Sequence, residues 1–224
     1  MSEAISEAIS INEGAQPSRV VIAEAAAAAL PRSFWPLWVL LTTAGYAAGM
    51  SLDDALYRLT GNALGGAAAG MGSVAIYGIV TLGLTGILQA LLLRRRLERP
   101  YLWVLASMAG GAVGFILGTL ASEAASSAIG LRLDVYTTGA IIQFLFGGFS
   151  GVAIGLSQWL FTHQRRAYTG AWVTANVVGL MIGFSIPVGI MQLFDLSFLG
   201  IWYGASGGLM LGLAEWFWMR RVAW

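Results

Sequence analysis

Six polar side chains recur at matched positions in an otherwise apolar sequence, and any chemistry of the chain would have to run through them. Gln89, Gln158 and Glu215 each follow a glycine by three residues (Gly86, Gly155, Gly212), while Thr42, Ser107 and Asn176 each follow a tryptophan by four (Trp38, Trp103, Trp172). Amides and hydroxyls in hydrocarbon must find partners, so two sets at one depth predict an interhelical hydrogen-bond ring, each bond stabilising by about 0.5 to 2 kcal/mol. Glu215 is the one acid where the other copies carry an amide. It could bind a cation or take up a proton in a polar vestibule open to one side, or simply pair with Arg220 and Arg221.

Other chemistries are excluded by what the chain lacks. All twelve basic residues are arginine, so Schiff bases and the phosphate-binding lysine loop cannot operate. With no cysteine and a single histidine, there is no disulfide, thiol nucleophile, iron–sulfur site, closed zinc site or bis-histidine haem. No cofactor or metal is therefore expected. His163 reads as a helix-end cap in Phe-Thr-His-Gln-Arg-Arg, with ligation of a single tetrapyrrole such as a chlorophyll as the minor alternative. Gly204, Ala205, Ser206 and Gly207 resemble the Gly-x-Ser-Gly signature of rhomboid intramembrane proteases, six-helix proteins with a serine and histidine dyad. A dyad needs its base within hydrogen-bond reach of the serine. His163 falls at the far end of the preceding even-numbered span and no histidine follows Ser206, so no catalytic residue is assigned and the chain is read as non-enzymatic.

The elements that must hold these residues are membrane helices. Residues are 58% hydrophobic and only 10% charged, with a mean hydropathy of +0.75, too little polar surface to cover a soluble globule. Spans are expected near 34–50, 67–93, 101–120, 137–161, 170–188 and 198–219. Ahead of them, residues 1–33 read as a flexible cytoplasmic tail without a cleavable signal, because the first ten residues are acidic where a signal would be basic. The transmembrane domain covers 34–224. A unit of Trp-Val, five residues, Gly, three residues, Gly occurs three times, from Trp38, Trp103 and Trp172, which divides the domain into repeats of about 34–96, 100–166 and 169–221. Each repeat has two helices, so the copies run parallel, and the expected architecture is an all-α six-helix bundle with a pseudo-threefold axis along the membrane normal.

Charge orients the bundle. Arg94, Arg95, Arg96, Arg99, Arg165, Arg166, Arg220 and Arg221 follow the even spans and Arg19 and Arg32 precede the first, whereas the opposite loops hold Asp53, Asp54, Glu123, Asp134 and Asp195 with only Arg58 and Arg132. The positive-inside rule places both termini in the cytoplasm. Eight of the nine tryptophans, including Trp38, Trp103 and Trp172, fall near that same side and read as headgroup anchors. Pro187 is expected to kink or end the fifth span.

Glycine must supply the packing, because lipid offers helices no hydrophobic reason to associate and small residues allow close backbone approach. Gly45 and Gly49, Gly78 and Gly86, Gly110 and Gly114, the ladder Gly147, Gly151, Gly155, then Gly179 and Gly183, and finally Gly204, Gly208 and Gly212 are assigned to buried interhelical strips. Gly-Leu-Ser-Gln-Trp-Leu at 155–160, echoed from Gly86 and Gly212 and followed by arginines and Trp-Val, resembles uncharacterised bacterial polytopic membrane proteins, a likeness over 34–221. That resemblance implies a bacterial inner (plasma) membrane location and no known activity. Mitochondrial carriers share three two-helix repeats, but their proline, acid and base signature is missing here, so the analogy is architectural. The sequence points to a scaffold or accessory subunit partnered by the lipid bilayer and by other membrane subunits or copies of itself, with no nucleic acid. The alternative is a small solute or ion transporter or channel around Glu215.

Overall fold

The computed structural model describes residues 33–60, 67–95, 97–129, 133–162, 169–194 and 199–219. The N-terminal tail before Ser33, together with Arg96, His163, Arg165, Arg166, Asp195, Arg220, Arg221 and Trp224, lies outside the described residues. The described chain is helical: α1 (Phe34–Thr60), α2 (Ala67–Leu93), α3 (Pro100–Ile129), α4 (Val135–Thr162), α5 (Thr169–Phe194) and α6 (Leu199–Met219). Four of these helices, α2 to α5, are long and apolar enough to cross a membrane. In α1 and α6 that apolar character is diluted by Trp35, Pro36, Trp38 and Tyr46 and by Trp202, Tyr203, Glu215, Trp216 and Trp218.

Three helices outrun their expected spans. α1 continues without a break through Ser51 to Thr60, and α3 runs on through Glu123 to Ile129, so Asp53, Asp54 and Glu123, expected in outer loops, lie within helices. α5 likewise continues through Pro187 to Phe194 rather than ending there. α4 begins where Asp134 caps it: one carboxylate oxygen accepts the backbone N–H of Tyr136 at 3.0 Å and of Thr137 at 2.9 Å, and the other accepts the Thr137 hydroxyl. These donors, the Thr137 hydroxyl foremost, hold the exposed Asp134 carboxyl below its ordinary range.

Each helix backbone packs on its neighbours in the chain and α6 returns to α1, with no other pair of helix backbones in close approach among the described residues. The six helices therefore form a closed ring. Glycine placement explains the order. Gly45 and Gly49 face α2, where a methyl group on either would lie 2.6 Å from Thr85 Cα or 2.5 Å from Thr81 Cα. Gly78 and Gly86 face α3, Gly110 and Gly114 face α4, Gly147, Gly151 and Gly155 face α5, and Gly179 and Gly183 face α6. Gly204, Gly208 and Gly212 face α1 and close the ring. Every helix thus turns its small-residue strip toward the helix that follows it, leaving the neighbour's backbone no room for a side chain.

Inside, Tyr46, Leu82, Phe115, Ile154, Leu180, Phe184 and Leu211 form one buried cluster, extended by Phe146 and Tyr203. Phe146 contacts Phe115 and Phe184 edge-to-face, with ring centroids 5.1 and 5.3 Å apart. Outside, large apolar side chains stand exposed, Leu40 on α1, Leu91 on α2, Val113 on α3, Leu160 on α4, Ile182 on α5 and Phe217 on α6 among them. The buried polar groups are Thr42, Thr81, Thr85, Gln89, Ser107, Ser150, Gln158, Asn176 and Glu215. Polar groups inside and apolar groups outside reverse the usual arrangement of a water-soluble domain.

A buried polar layer as the candidate functional site

All six residues of the polar layer are buried, Thr42, Ser107, Asn176 and Glu215 completely. Helix register brings them together. In the α1–α2 hairpin, Gly45 lies opposite Thr85, and three residues back along α1 and four residues on along α2 stand Thr42 and Gln89. Gln89 Nε2 donates to Thr42 Oγ1 at 3.0 Å. In the α3–α4 hairpin Gly110 lies opposite Ile154, and the same two steps reach Ser107 and Gln158, whose Nε2 donates to Ser107 Oγ at 3.0 Å. The Ser107 hydroxyl passes its own proton to the Trp103 carbonyl one turn earlier, at 2.9 Å.

The partners that completed this layer are the repeat tryptophans. Trp103 Nε1 donates to Gln89 Oε1 and Trp172 Nε1 to Gln158 Oε1, each at 3.0 Å, while Trp38 Nε1 donates to Glu215 Oε2 at 2.8 Å. Each tryptophan therefore ties its own helix to the last helix of the neighbouring hairpin. This corrects their reading as headgroup anchors: Trp38, Trp103 and Trp172 are 0%, 1% and 4% exposed. The physical reason is that the interior offers an indole both of its needs, an acceptor for the N–H and an apolar surface for the ring. Trp103 packs edge-to-face on Trp38 and on Trp172, with centroids 6.1 and 5.7 Å apart. The spacing of a tryptophan four residues before a buried hydroxyl or amide was the available signal, since those two positions share a helix face. Trp35, Trp159, Trp216 and Trp218 are only half-buried, and Trp202 is exposed.

The third hairpin repeats the register with different atoms. Gly179 lies opposite Leu211, and three residues back and four residues on stand Asn176 and Glu215. Asn176 Nδ2 donates to the Trp172 carbonyl at 3.0 Å, as Ser107 does to Trp103. Asn176 Oδ1 and Glu215 Oε1, however, are both buried without a hydrogen-bond partner, as is the Tyr46 hydroxyl. Gln89 Nε2 reaches Glu215 Oε2 only at 3.5 Å. No cluster of three or more metal-binding side chains occurs among the described residues.

Ser206 occupies a different place. Its hydroxyl donates to the Gly183 carbonyl on α5 and to the Trp202 carbonyl one turn back, each at 2.7 Å, so it is engaged in the α5–α6 seam. On the outer surface an apolar groove of about 440 Å³ follows the α1–α6 seam between Trp35, Leu40, Leu213 and Trp216.

The polar layer thus has the chemistry of a hydrogen-bonded belt with one acidic member, and nothing in it holds a nucleophile beside a base. No protein-family model, curated protein or solved structure matches the chain, so the reading of this site rests on its own geometry.

Proposed function

We propose that the chain is an integral protein of a bacterial inner membrane, a six-span bundle of three two-helix repeats about a pseudo-threefold axis, acting as a non-enzymatic scaffold or accessory subunit. The single observation that carries the scaffold reading is the filled interior. Trp103 packs on both Trp38 and Trp172 at one level and the cluster of Tyr46, Leu82, Phe115, Phe184 and Leu211 fills the next, a solid interior suited to holding shape. The exposed apolar faces of all six helices support burial in lipid, and the recurrence of the tryptophan and glutamine bonds supports the repeat. Arginine excess after the even helices supports cytoplasmic termini. Likeness of the Gly-x-x-Gln-Trp-Leu hairpins to bacterial polytopic proteins supports the location. Partners would be the bilayer and other membrane subunits or further copies of the chain.

Mild-detergent purification from the native membrane, followed by native mass spectrometry with lipids retained, tests this reading. A defined complex with other subunits is the expected result. A lone monomer that conducts a solute across reconstituted vesicles would overturn it in favour of a transporter. That second reading is favoured by one observation, the unpartnered Glu215 oxygen in the middle of the belt.

A further inference from the structure

The third hairpin contains a mismatch that the other two do not. In each of those, an amide N–H from the even helix donates to a hydroxyl on the odd helix. A hydroxyl both gives and receives, so Ser107 accepts from Gln158 while donating to the Trp103 carbonyl. Asn176 divides these two roles between two atoms. Its Nδ2 already serves the Trp172 carbonyl, which leaves Oδ1 to do the accepting. Turning the amide over would not help, because it would set Oδ1 against the Trp172 carbonyl, another acceptor. The residue in register with Asn176 must therefore donate, and that residue is Glu215, whose Oε2 is occupied by Trp38 N–H and whose Oε1 has no partner.

We propose that Glu215 and Asn176 form a proton-binding site. A hydrogen ion taken from water sits on Glu215 Oε1 and is donated to Asn176 Oδ1, closing the α5–α6 seam as a glutamine amide closes the α1–α2 and α3–α4 seams. With the proton bound, the carboxylic acid imitates glutamine atom for atom: one oxygen accepts from tryptophan and the other position donates across the hairpin. With the proton gone, two buried acceptors are left without a donor and a charge is left in the layer, which is costly without a cation.

Among the described residues no cation takes over that role. α2, α5 and α6 contain no basic residue, and on α1 the only one is Arg58, near the end remote from Thr42. The titratable group presented by α1 at the next level of the core is Tyr46, with its hydroxyl buried and unpartnered, and α5 presents none. On α6 itself the other titratable group is Tyr203, three turns away, while Arg220 and Arg221 lie outside the described residues. This inference stands on the α5–α6 register and is independent of the scaffold reading.

Infrared difference spectroscopy of the full-length protein in lipid nanodiscs tests it. Wild type at neutral pH should show a protonated-carboxyl C=O band that is absent from Glu215→Gln and shifts to higher frequency in Asn176→Leu, where the acceptor is lost. Glu215→Gln should also melt at the wild-type temperature at neutral pH while losing the wild type's fall in melting temperature under alkaline conditions. Loss of carboxylate bands, rather than of an acid band, in Glu215→Gln would overturn the proposal. So would identical alkaline melting profiles of the two proteins. If Glu215→Gln does not fold, an acid band that stays unmoved in Asn176→Leu and Asn176→Ser is the overturning result.

Discussion

Gln89 and Glu215 occupy equivalent joints of one ring, and the difference between them is a single N–H. At the α2–α3 joint, Gln89 accepts from Trp103 and donates to Thr42, so every atom of its amide head group has a partner. At the α6–α1 joint, Glu215 accepts from Trp38 and leaves its second oxygen alone. The backbones at the two places are alike: glycine strips of α2 and α6 press against the next helix in the same manner. The comparison teaches that close glycine packing sets where helices meet, while the polar belt sets what each joint requires of its solvent and ions. A neutral joint is complete by itself. An acidic joint is complete only with a proton or an equivalent donor.

The largest disturbance to this comparison should come from Trp103→Ala, which removes the N–H partner of Gln89 and the ring that contacts both Trp38 and Trp172. Truncation of a buried aromatic of this size should cost about 3 to 5 kcal/mol, read as loss of monodisperse protein in size-exclusion chromatography after mild heating. Gly208→Val comes next. A methyl there would stand 2.7 Å from Thr43 Cα and 2.8 Å from Tyr46 Cβ, so the α6–α1 seam must open, at about 1 to 3 kcal/mol. An unchanged melting temperature for Gly208→Val would show that this seam is slack.

Trp38→Phe and Trp103→Phe sharpen the comparison because each keeps a ring and deletes one N–H. Both should destabilise by about 1 to 3 kcal/mol through an orphaned acceptor, with Trp38→Phe the worse, since it strips the only short hydrogen bond from Glu215. Thermal melts of the two variants at one pH decide it. Equal losses would mean that the acid and the amide joints are energetically the same. The smallest effect is expected at the exposed cap of α4. The folded Asp134 carboxyl titrates below its unfolded value, so its stabilisation is present above the ordinary carboxylate range and is lost as pH falls through the folded value. Asp134→Asn should therefore melt slightly below wild type at neutral pH and converge with it in acid.

Much of the layer is legible in the sequence, because it depends on spacing within single helices. Thr42, Ser107 and Asn176 lie one turn past their tryptophans, and Gln89, Gln158 and Glu215 lie one turn past their glycines, periods that place them on packing faces. Trp38, Trp103 and Trp172 suit the headgroup reading in sequence for an equally physical reason. An amphipathic indole near a row of arginines suits a headgroup belt as well as a buried acceptor, and one-dimensional proximity to charge cannot separate the two. Nothing local ends α1 at Met50 rather than at Thr60, since Ser51, Leu52, Asp53 and Asp54 continue a helix as readily as they begin a loop.

By itself, then, the sequence determined the number and order of the helices, the glycine strips that let their backbones meet, and the helix faces that carry the polar residues, because each follows from periodicity along one helix. The tertiary structure alone decided which helix each strip meets, that α6 closes on α1, and that Trp38 reaches Glu215 across 177 positions of chain. It also decided that hydroxyl meets amide in two hairpins and that two buried acceptors are left without a donor in the third. Those outcomes belong to pairs of helices, and a pair acquires its register only when both backbones are packed together.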